Sequence, residues 1–150
     1  MKRICVGRGV VEWVAKQTNE FGNFGTDIGI GLERLEAGAW RMIAGVAYSQ
    51  WNGVHVVCDI ASDGSRRWLT RDYLWHIFDY PFRQLRAQRI TVCVGEGNAA
   101  SRRFVGHLGF ELEARLEKAH PTGDVLVYRM REPQCRWLDL RKPHEERLAA

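Results

Sequence analysis

Residues 90–117 constrain the fold more than any other part of the sequence. An apolar run opens this stretch, a segment with apolar residues at helical spacing follows, and an alternating charged run closes it. Asn98 is suited to cap the helix because its side-chain oxygen accepts an N–H of the first turn, and Gly109 is suited to end it because glycine adopts the left-handed conformation. The stretch therefore predicts a strand over 90–94, a helix, and a second strand over 110–117.

Three further strand candidates lie upstream and are separated by turn residues. Gly38 stands between the first two, and Asn52 and Gly53 between the second and third form a strong hairpin signal, since both tolerate a positive φ. The three candidates cover 27–35, 40–49 and 54–61. Strands joined in this way predict an antiparallel meander.

A long amphipathic segment links the meander to the strand that follows it. Residues 62–65 end the third strand and are expected to open a helix, and apolar side chains recur at three- and four-residue spacing over 69–85. Pro81 is expected to kink or end this helix, because proline lacks a backbone N–H. A helical connection also predicts that the strands over 54–61 and 90–94 run parallel.

The remaining elements complete a single domain. They are a strand over 2–6, a helix over 10–17, a loop rich in glycine and asparagine over 19–26, and a strand over 125–130. We expect one domain over 1–138, followed by a charged tail over 139–150.

Composition narrows the classes of function. The 150-residue chain carries a net charge of +4 with arginine in excess, which favours an anionic partner such as a nucleic acid or a phosphorylated cofactor. No apolar stretch approaches the roughly 20 residues of a membrane span, so we expect no membrane partner. The four cysteines form no C-x-x-C pair, and the histidines do not stand at ligand spacing. Reduced, packed thiols and no metal are therefore expected, and reduced thiols suit a cytoplasmic location.

The order of elements resembles the GNAT (Gcn5-related) N-acetyltransferase superfamily, and most of all its branch of ribosomal-protein N-terminal acetyltransferases. The N-x-x-S spacing at 98–101 and the L-G-F triplet at 108–110 carry this resemblance, which covers 27–131 and is best over 89–113. The resemblance implies an α/β fold with a mixed, mostly antiparallel sheet of about six to seven strands flanked by helices. It also implies that the central parallel strands splay apart.

The resemblance further implies that acetyl-CoA binds between the splayed strands, with its diphosphate at the N-terminus of the helix after the fourth strand. Helix N-termini bind anions through unpaired N–H groups. The corresponding residues are Ser65, Arg66, Arg67, Trp68, Leu69 and Thr70. Ser65 and Arg67 stand where the family has glycines, so the backbone approaches phosphate less closely. Arg66 and Arg67 are expected to compensate through charge-assisted contacts.

Other cofactor contacts follow from the same resemblance. The pantetheine arm is expected to pair with the backbone of the fourth strand near Asp59, Ile60 and Ala61. Asn98 would face the cofactor or serve only as a helix cap. Arg103, one of the clustered arginines, is a further candidate for cofactor binding.

Acyl transfer to an amine requires a base, a donor to the oxyanion, and a hydrogen bond or proton for the leaving thiolate. Many family members place a tyrosine acid where this sequence has Val105. Ser101 matches a serine that contacts the thiol sulfur in the ribosomal-protein branch, and is our candidate thiolate donor. Asp59 and His55 share one face of the fourth strand and are candidate bases, and each is alternatively structural.

These observations favour an acyl-CoA-dependent N-acyltransferase that transfers acetyl directly to a primary amine, with no cysteine placed for a covalent intermediate. The acceptor is a peptide N-terminus, a lysine or a small polyamine-like molecule. One alternative is a nucleic-acid-directed modifying protein on the same fold, prompted by the arginines and six tryptophans. Another is a non-catalytic acyl-CoA-binding or interaction domain. Monomer and homodimer are both compatible, with Trp137 as a candidate dimer contact.

Overall fold

The computed structural model describes residues 1–18 and 28–139, which form seven strands and three α-helices. The strands are β1 (Lys2–Val6), β2 (Gly29–Glu36), β3 (Ala39–Ser49), β4 (His55–Ser62), β5 (Arg89–Gly95), β6 (Glu111–His120) and β7 (Gly123–Arg131). The helices are α1 (Arg8–Thr18), α2 (Arg71–Asp79) and α3 (Ala99–Leu108). A π-helical turn (Tyr80–Gln84) follows α2, and two 3-10 turns (Glu132–Gln134 and Arg136–Asp139) follow β7.

All seven strands belong to one mixed sheet with the order β1-β2-β3-β4-β5-β7-β6. Within the described residues, β4 and β5 are parallel and all other neighbours are antiparallel. This confirms the predicted α/β class, the meander and the parallel pair. The predicted loop over 19–26 and all of the predicted tail except Asp139 lie outside the described residues. None of the described helices is long and apolar enough to cross a membrane.

Helix α1 packs on one face of the sheet, over β2, β3 and β4. Val14 and its neighbours on α1 form a small core with Ala47 and Ala61. Gly45 allows this close approach, because a Cβ atom at that position would lie 2.8 Å from the Cγ2 atom of Val14. Since side chains alternate along a strand, Asp59 points to the same face of β4 as Ala61.

Helices α2 and α3 and the C-terminal turns cover the opposite face and enclose the main core. The hydroxyl of Tyr73 donates to the carbonyl of Ile30 at 2.8 Å, which ties α2 to the sheet. The indole N–H of Trp137 donates to the carbonyl of Leu108 at 2.7 Å, and Leu138 is buried beside it. Trp137, a candidate dimer contact in the sequence, is therefore partly buried within its own chain.

The predicted start of the second helix is wrong. Residues 63–70 form a loop, and α2 begins at Arg71 with Thr70 as its N-cap, whose hydroxyl accepts the Tyr73 N–H at 3.2 Å. Polar side chains of the loop bond to one another instead of capping a helix at 62–65. Pro81 lies at the start of the π-helical turn, where no backbone N–H is needed, so the chain continues to coil beyond it.

The connection between β3 and β4 is one residue longer than the predicted strand bounds leave, because β4 begins at His55. It spans residues 50–54, with Gln50 at φ 58° and Gly53 at φ 100°. The side-chain oxygen of Asn52 accepts the N–H groups of Val54 and His55 at 3.1 and 2.9 Å. Asn52 therefore organises a wider loop by hydrogen bonding and does not form a tight turn.

Candidate active site

The two parallel strands in the middle of the sheet separate soon after they meet. They pair only through His55–Val57 on β4 and Arg89–Thr91 on β5. Beyond these residues, β4 continues to pair with β3 and β5 with β7. Within the described chain, the edge of β4 that faces β5 thus has no strand partner beyond Val57. Its main-chain N–H and C=O groups are open to an extended ligand.

The gap between the strands is a cleft that passes through the sheet and has a volume of about 1160 Å³. Its volume is that of a site for a large small-molecule ligand or cofactor. The wall on the side of α2 and α3 includes Ile60, Trp68, Asn98, Ala100, Ser101, Phe104, Val105 and Leu108. The wall on the side of α1 includes Gln17, Asp59, Ala61, Cys93, Gly95, His120, Pro121 and Thr122.

The first turn of α3 brings two of the predicted site residues to the cleft. The side-chain oxygen of Asn98 accepts the Ser101 N–H at 3.1 Å, so Asn98 caps the helix and lines the cleft at once. The Ser101 hydroxyl makes no hydrogen bond within the described residues. It is therefore free to donate to a ligand. Val105 is 3% exposed and contributes an apolar surface one turn further along.

The opposite wall holds two residues that sequence reasoning missed. Cys93 is exposed on the cleft wall, contrary to the expectation of packed thiols, whereas Cys58 and Cys135 are buried as expected. His120 lies across the end of β5, where a Cβ atom on Gly95 would come within 3.1 Å of its ring. A glycine at the end of β5 was the available signal, because it leaves room for a neighbouring side chain.

His120 is held by the turn between β6 and β7. Its Nδ1 atom accepts the backbone N–H of Thr122 at 3.2 Å and lies 3.0 Å from the Thr122 hydroxyl. Because Nδ1 accepts this N–H, the proton of the neutral ring resides on Nε2. His120 therefore presents a hydrogen-bond donor at the mouth of the cleft on the α1 side.

The two candidate bases are not brought together. Asp59 lines the cleft, but His55 lies where β4 and β5 still pair, about 13 Å away along the strand. The His55 Nε2 atom lies 2.7 Å from the Thr91 hydroxyl, which also accepts from Arg89 at 3.0 Å. Burial, with the nearby Arg89 charge, lowers the pKa of His55 below its usual 6.5.

The loop before α2 satisfies its own polar groups. A carboxylate oxygen of Asp63 accepts the Ser65 N–H at 2.9 Å, and the other pairs with the Arg67 guanidinium at 3.0 Å. Arg67 also pairs with Glu36 at 3.1 Å. Of the six loop residues carried over from the family, only Trp68 lines the cleft, whereas Ser65, Arg66, Arg67, Leu69 and Thr70 do not.

Few charged side chains line the cleft. Arg103 is exposed on α3 and does not line the cleft. Across the described sheet, most other arginines are paired: Arg89 with Glu113, Arg115 with Glu96 and Asp124, and Arg129 with Glu111. No group of three His, Cys, Asp or Glu side chains in residues 1–18 and 28–139 is placed to hold a metal ion.

Comparisons with known proteins identify the fold. No protein-family model and no curated protein matches the sequence. Among solved structures, a mutant form of the spermidine/spermine N-acetyltransferase SpeG from Vibrio cholerae matches with a TM-score of 0.68 and 15% identity, over 93% of this chain and 98% of that one. A ribosomal-protein-S5-alanine acetyltransferase from Vibrio fischeri matches with a TM-score of 0.57 and 16% identity, over 73% and 63%.

A third similar structure is an acetyltransferase of the GNAT family from Bacillus anthracis, with a TM-score of 0.56 and 13% identity over 70% of this chain and 66% of that one. The protein therefore has the fold of the GNAT N-acetyltransferases, as the sequence predicted. The separation of β4 from β5 is the feature of this fold that creates the cleft.

Proposed function

We propose that this protein is an N-acetyltransferase that transfers acetyl from acetyl-CoA directly to a primary amine. One observation carries the proposal: the cleft between β4 and β5 places the Ser101 hydroxyl on one wall and the Asp59 carboxylate on the other. A thioester and an amine that enter from opposite faces of the sheet would meet between these groups. The activities named for the structures that share the fold support the same class.

The residues present fit the pantetheine arm of acetyl-CoA. The arm is an extended chain with two amides, and the unpaired edge of β4 near Ile60 and Ala61 offers it main-chain partners. Arg67 is not available to the diphosphate of acetyl-CoA, because it is already paired with Asp63 and Glu36. We assign the diphosphate to the N-terminus of α2 and to Arg66, which is exposed beside it. Arg103 is a further phosphate contact.

Each wall of the cleft has one role in the reaction: one removes the proton of the amine, and the other donates a hydrogen bond to the leaving sulfur. Acetyl-CoA supplies an activated carbonyl, and the amine nitrogen bonds to it as the carbon–sulfur bond breaks. A lysine-like amine has a pKa of about 10.4, so a base must remove its proton near neutral pH. Asp59 faces the acceptor side and takes this role, and its charge also favours a cationic amine. Ser101 donates a hydrogen bond to the leaving sulfur, since Val105 replaces the tyrosine that serves as acid in many relatives.

Several arginines are not free to form a nucleic-acid surface, although Arg66 and Arg103 are exposed. A nucleic-acid surface needs cations that are free to meet phosphates. Arg67, Arg89 and Arg115 are instead paired with carboxylates on separate elements. The proposed acceptors are therefore amines, and the first to test are spermidine and a peptide with an N-terminal alanine, since the similar structures are named for these.

The test is an acceptor panel with the full chain and acetyl-CoA. Acetylated product is detected by mass spectrometry, which avoids thiol reagents that would also label Cys93. The panel contains spermidine, an alanine-terminated peptide and a lysine peptide. The proposal predicts acetylation of at least one amine above the uncatalysed rate, and failure with every amine while the protein is folded would contradict it.

Two substitutions test the assigned roles. Asp59→Asn should lower kcat about 100-fold, the lower range for loss of a general base. Ser101→Ala should lower kcat about tenfold with little change in the Kd of acetyl-CoA, because the hydrogen bond strengthens only as the thiolate forms. Asp139→Asn, an exposed change outside the cleft, is the control and should leave both quantities unchanged.

A further inference from the structure

Trp68 carries a polar group that has no partner among the described residues. Its side chain is 1% exposed, and its indole N–H finds no hydrogen-bond acceptor within the described residues. Buried donors are almost always bonded in folded proteins, because an unmade hydrogen bond costs the desolvation of the group. An orphaned donor in the wall of a cleft therefore indicates a ligand that supplies the missing acceptor.

The indole ring is fixed in place by its neighbours. It packs edge-on against Tyr73 of α2, with ring centroids 6.3 Å apart, and in a tilted arrangement against Phe104 of α3 at 5.5 Å. Both contacts join the ring to helices on the same side of the sheet. Trp68 therefore cannot turn its N–H to bulk water without breaking this packing, and its side chain forms part of the cleft wall.

Two polar groups of the adjacent loop are already used within the protein. Asp63 accepts a hydrogen bond from the Ser65 N–H and forms an ion pair with one side of the Arg67 guanidinium. Glu36 forms an ion pair with the other side. The Ser65 N–H and the Arg67 guanidinium are thus occupied by the protein's own carboxylates. The Trp68 N–H is the buried donor that remains free at this end of the cleft among the described residues.

We propose that the indole N–H of Trp68 donates a hydrogen bond to an amide carbonyl of the pantetheine arm of the acyl donor. This inference rests on the proposed function and names the side chain that recognises the donor. The surrounding wall is apolar, with Phe104, Val105 and Leu108, which suits a neutral oxygen. A phosphate would bring a charge that such a wall cannot solvate.

The experiment compares two ligands that share the pantetheine arm, acetyl-CoA and S-acetyl-pantetheine, of which only the first has phosphates. Calorimetry measures Kd for the wild-type chain, for Trp68→Phe and for Trp137→Phe. Trp137 is the matched control, because its N–H already donates to Leu108. Trp68→Phe should weaken both ligands about tenfold, the fold-change for a hydrogen bond of about 1.4 kcal/mol, and Trp137→Phe should weaken neither.

A spectroscopic measurement on the wild-type chain removes dependence on how well the variants fold. The protein is labelled with ¹⁵N-tryptophan, and the Trp68 indole resonance is the one that Trp68→Phe removes. Adding S-acetyl-pantetheine should move the Trp68 indole proton downfield and slow its exchange with water, because the N–H gains an acceptor.

Three other results would overturn the inference. If Trp68→Phe changes neither Kd while acetyl-CoA binds, the inference fails and the proposed function stands. If only acetyl-CoA binding is weakened, the partner is a phosphate oxygen and the amide assignment is wrong. If neither ligand binds the wild-type chain, the proposed function fails together with the inference.

Discussion

Replacing Asp63 with asparagine removes one negative charge from the loop before α2 and leaves a hydrogen-bond acceptor in place. The amide oxygen of the new side chain would still accept the Ser65 N–H, which Asp63 accepts at 2.9 Å. The ion pair with Arg67 at 3.0 Å would be lost, and Arg67 would keep only Glu36. If the diphosphate of acetyl-CoA binds at this loop, the substitution should strengthen binding.

The expected gain follows from Coulomb's law. A unit charge about 7 Å from the Asp63 carboxylate interacts with it by roughly 0.6 to 1.2 kcal/mol at an effective dielectric constant of about 40 to 80. The diphosphate carries about two charges, and salt screening reduces the sum to about 1 kcal/mol at physiological ionic strength. Asp63→Asn should therefore lower the Kd of acetyl-CoA about fivefold.

Calorimetric titration at two salt concentrations is the assay. The gain for acetyl-CoA should shrink at high salt, and the Kd of S-acetyl-pantetheine should not change, because that ligand has no phosphates. Glu117→Gln on the exposed strand β6 makes the same change in net charge away from the loop and is the control. An unchanged or weaker affinity of Asp63→Asn for acetyl-CoA would refute the placement of the diphosphate at this loop.

Three further substitutions test other parts of the structure. Gly45→Ala should destabilise the fold by about 1 to 3 kcal/mol, measured by urea unfolding, because the new Cβ would lie 2.8 Å from Val14. Gly95→Ala should lower turnover more than stability, because the added Cβ would lie 3.1 Å from the His120 ring, and moving this ring would change the shape of the cleft wall that it lines. Burial lowers the pKa of His55 below 6.5, so the unfolded chain binds this proton more readily. The contribution of neutral His55 to the free energy of unfolding should be fully present above about pH 6.5 and should decline below it. His55→Gln should lessen this decline, which urea unfolding at about pH 7.5 and 5.5 would measure.

Each of these expectations has a contradicting result. A wild-type stability for Gly45→Ala would mean that α1 has room to move from β3. Full turnover of Gly95→Ala would place His120 outside the reaction. An equal acid decline in wild type and His55→Gln would assign the decline to other groups.

The sequence predicts the order of the described elements because the relevant signals are local. Apolar periodicity marks each helix and strand, and Asn98 and Gly109 cap α3 as predicted, with Gly109 at φ 105°. The prediction fails at residues 63–70, where the structure depends on partners distant in sequence. Arg67 pairs with Glu36, which is 31 residues away, and no local pattern reveals that contact.

The candidate site divides in the same way. Asp59 and Ser101 are found from strand alternation and from a family motif, both of which are read along one element. Cys93 and His120 are missed because their position in the cleft depends on how β5 diverges from β4 and on how the turn after β6 folds back over Gly95. Those are properties of the assembled sheet and not of any single segment.

If acetyl transfer takes place in the cleft between β4 and β5, a variant in which that cleft is filled should form no product. Ala100 is exposed on the first turn of α3 and lines the cleft, so Ala100→Trp should block it with little effect on folding. The measurement is the amount of acetylated amine formed from acetyl-CoA by wild type and by Ala100→Trp, with folding checked by circular dichroism. Wild type should form acetylated amine and free coenzyme A in equal amounts, and the folded variant should form almost none. Equal product from both proteins would contradict acetyl transfer in this cleft.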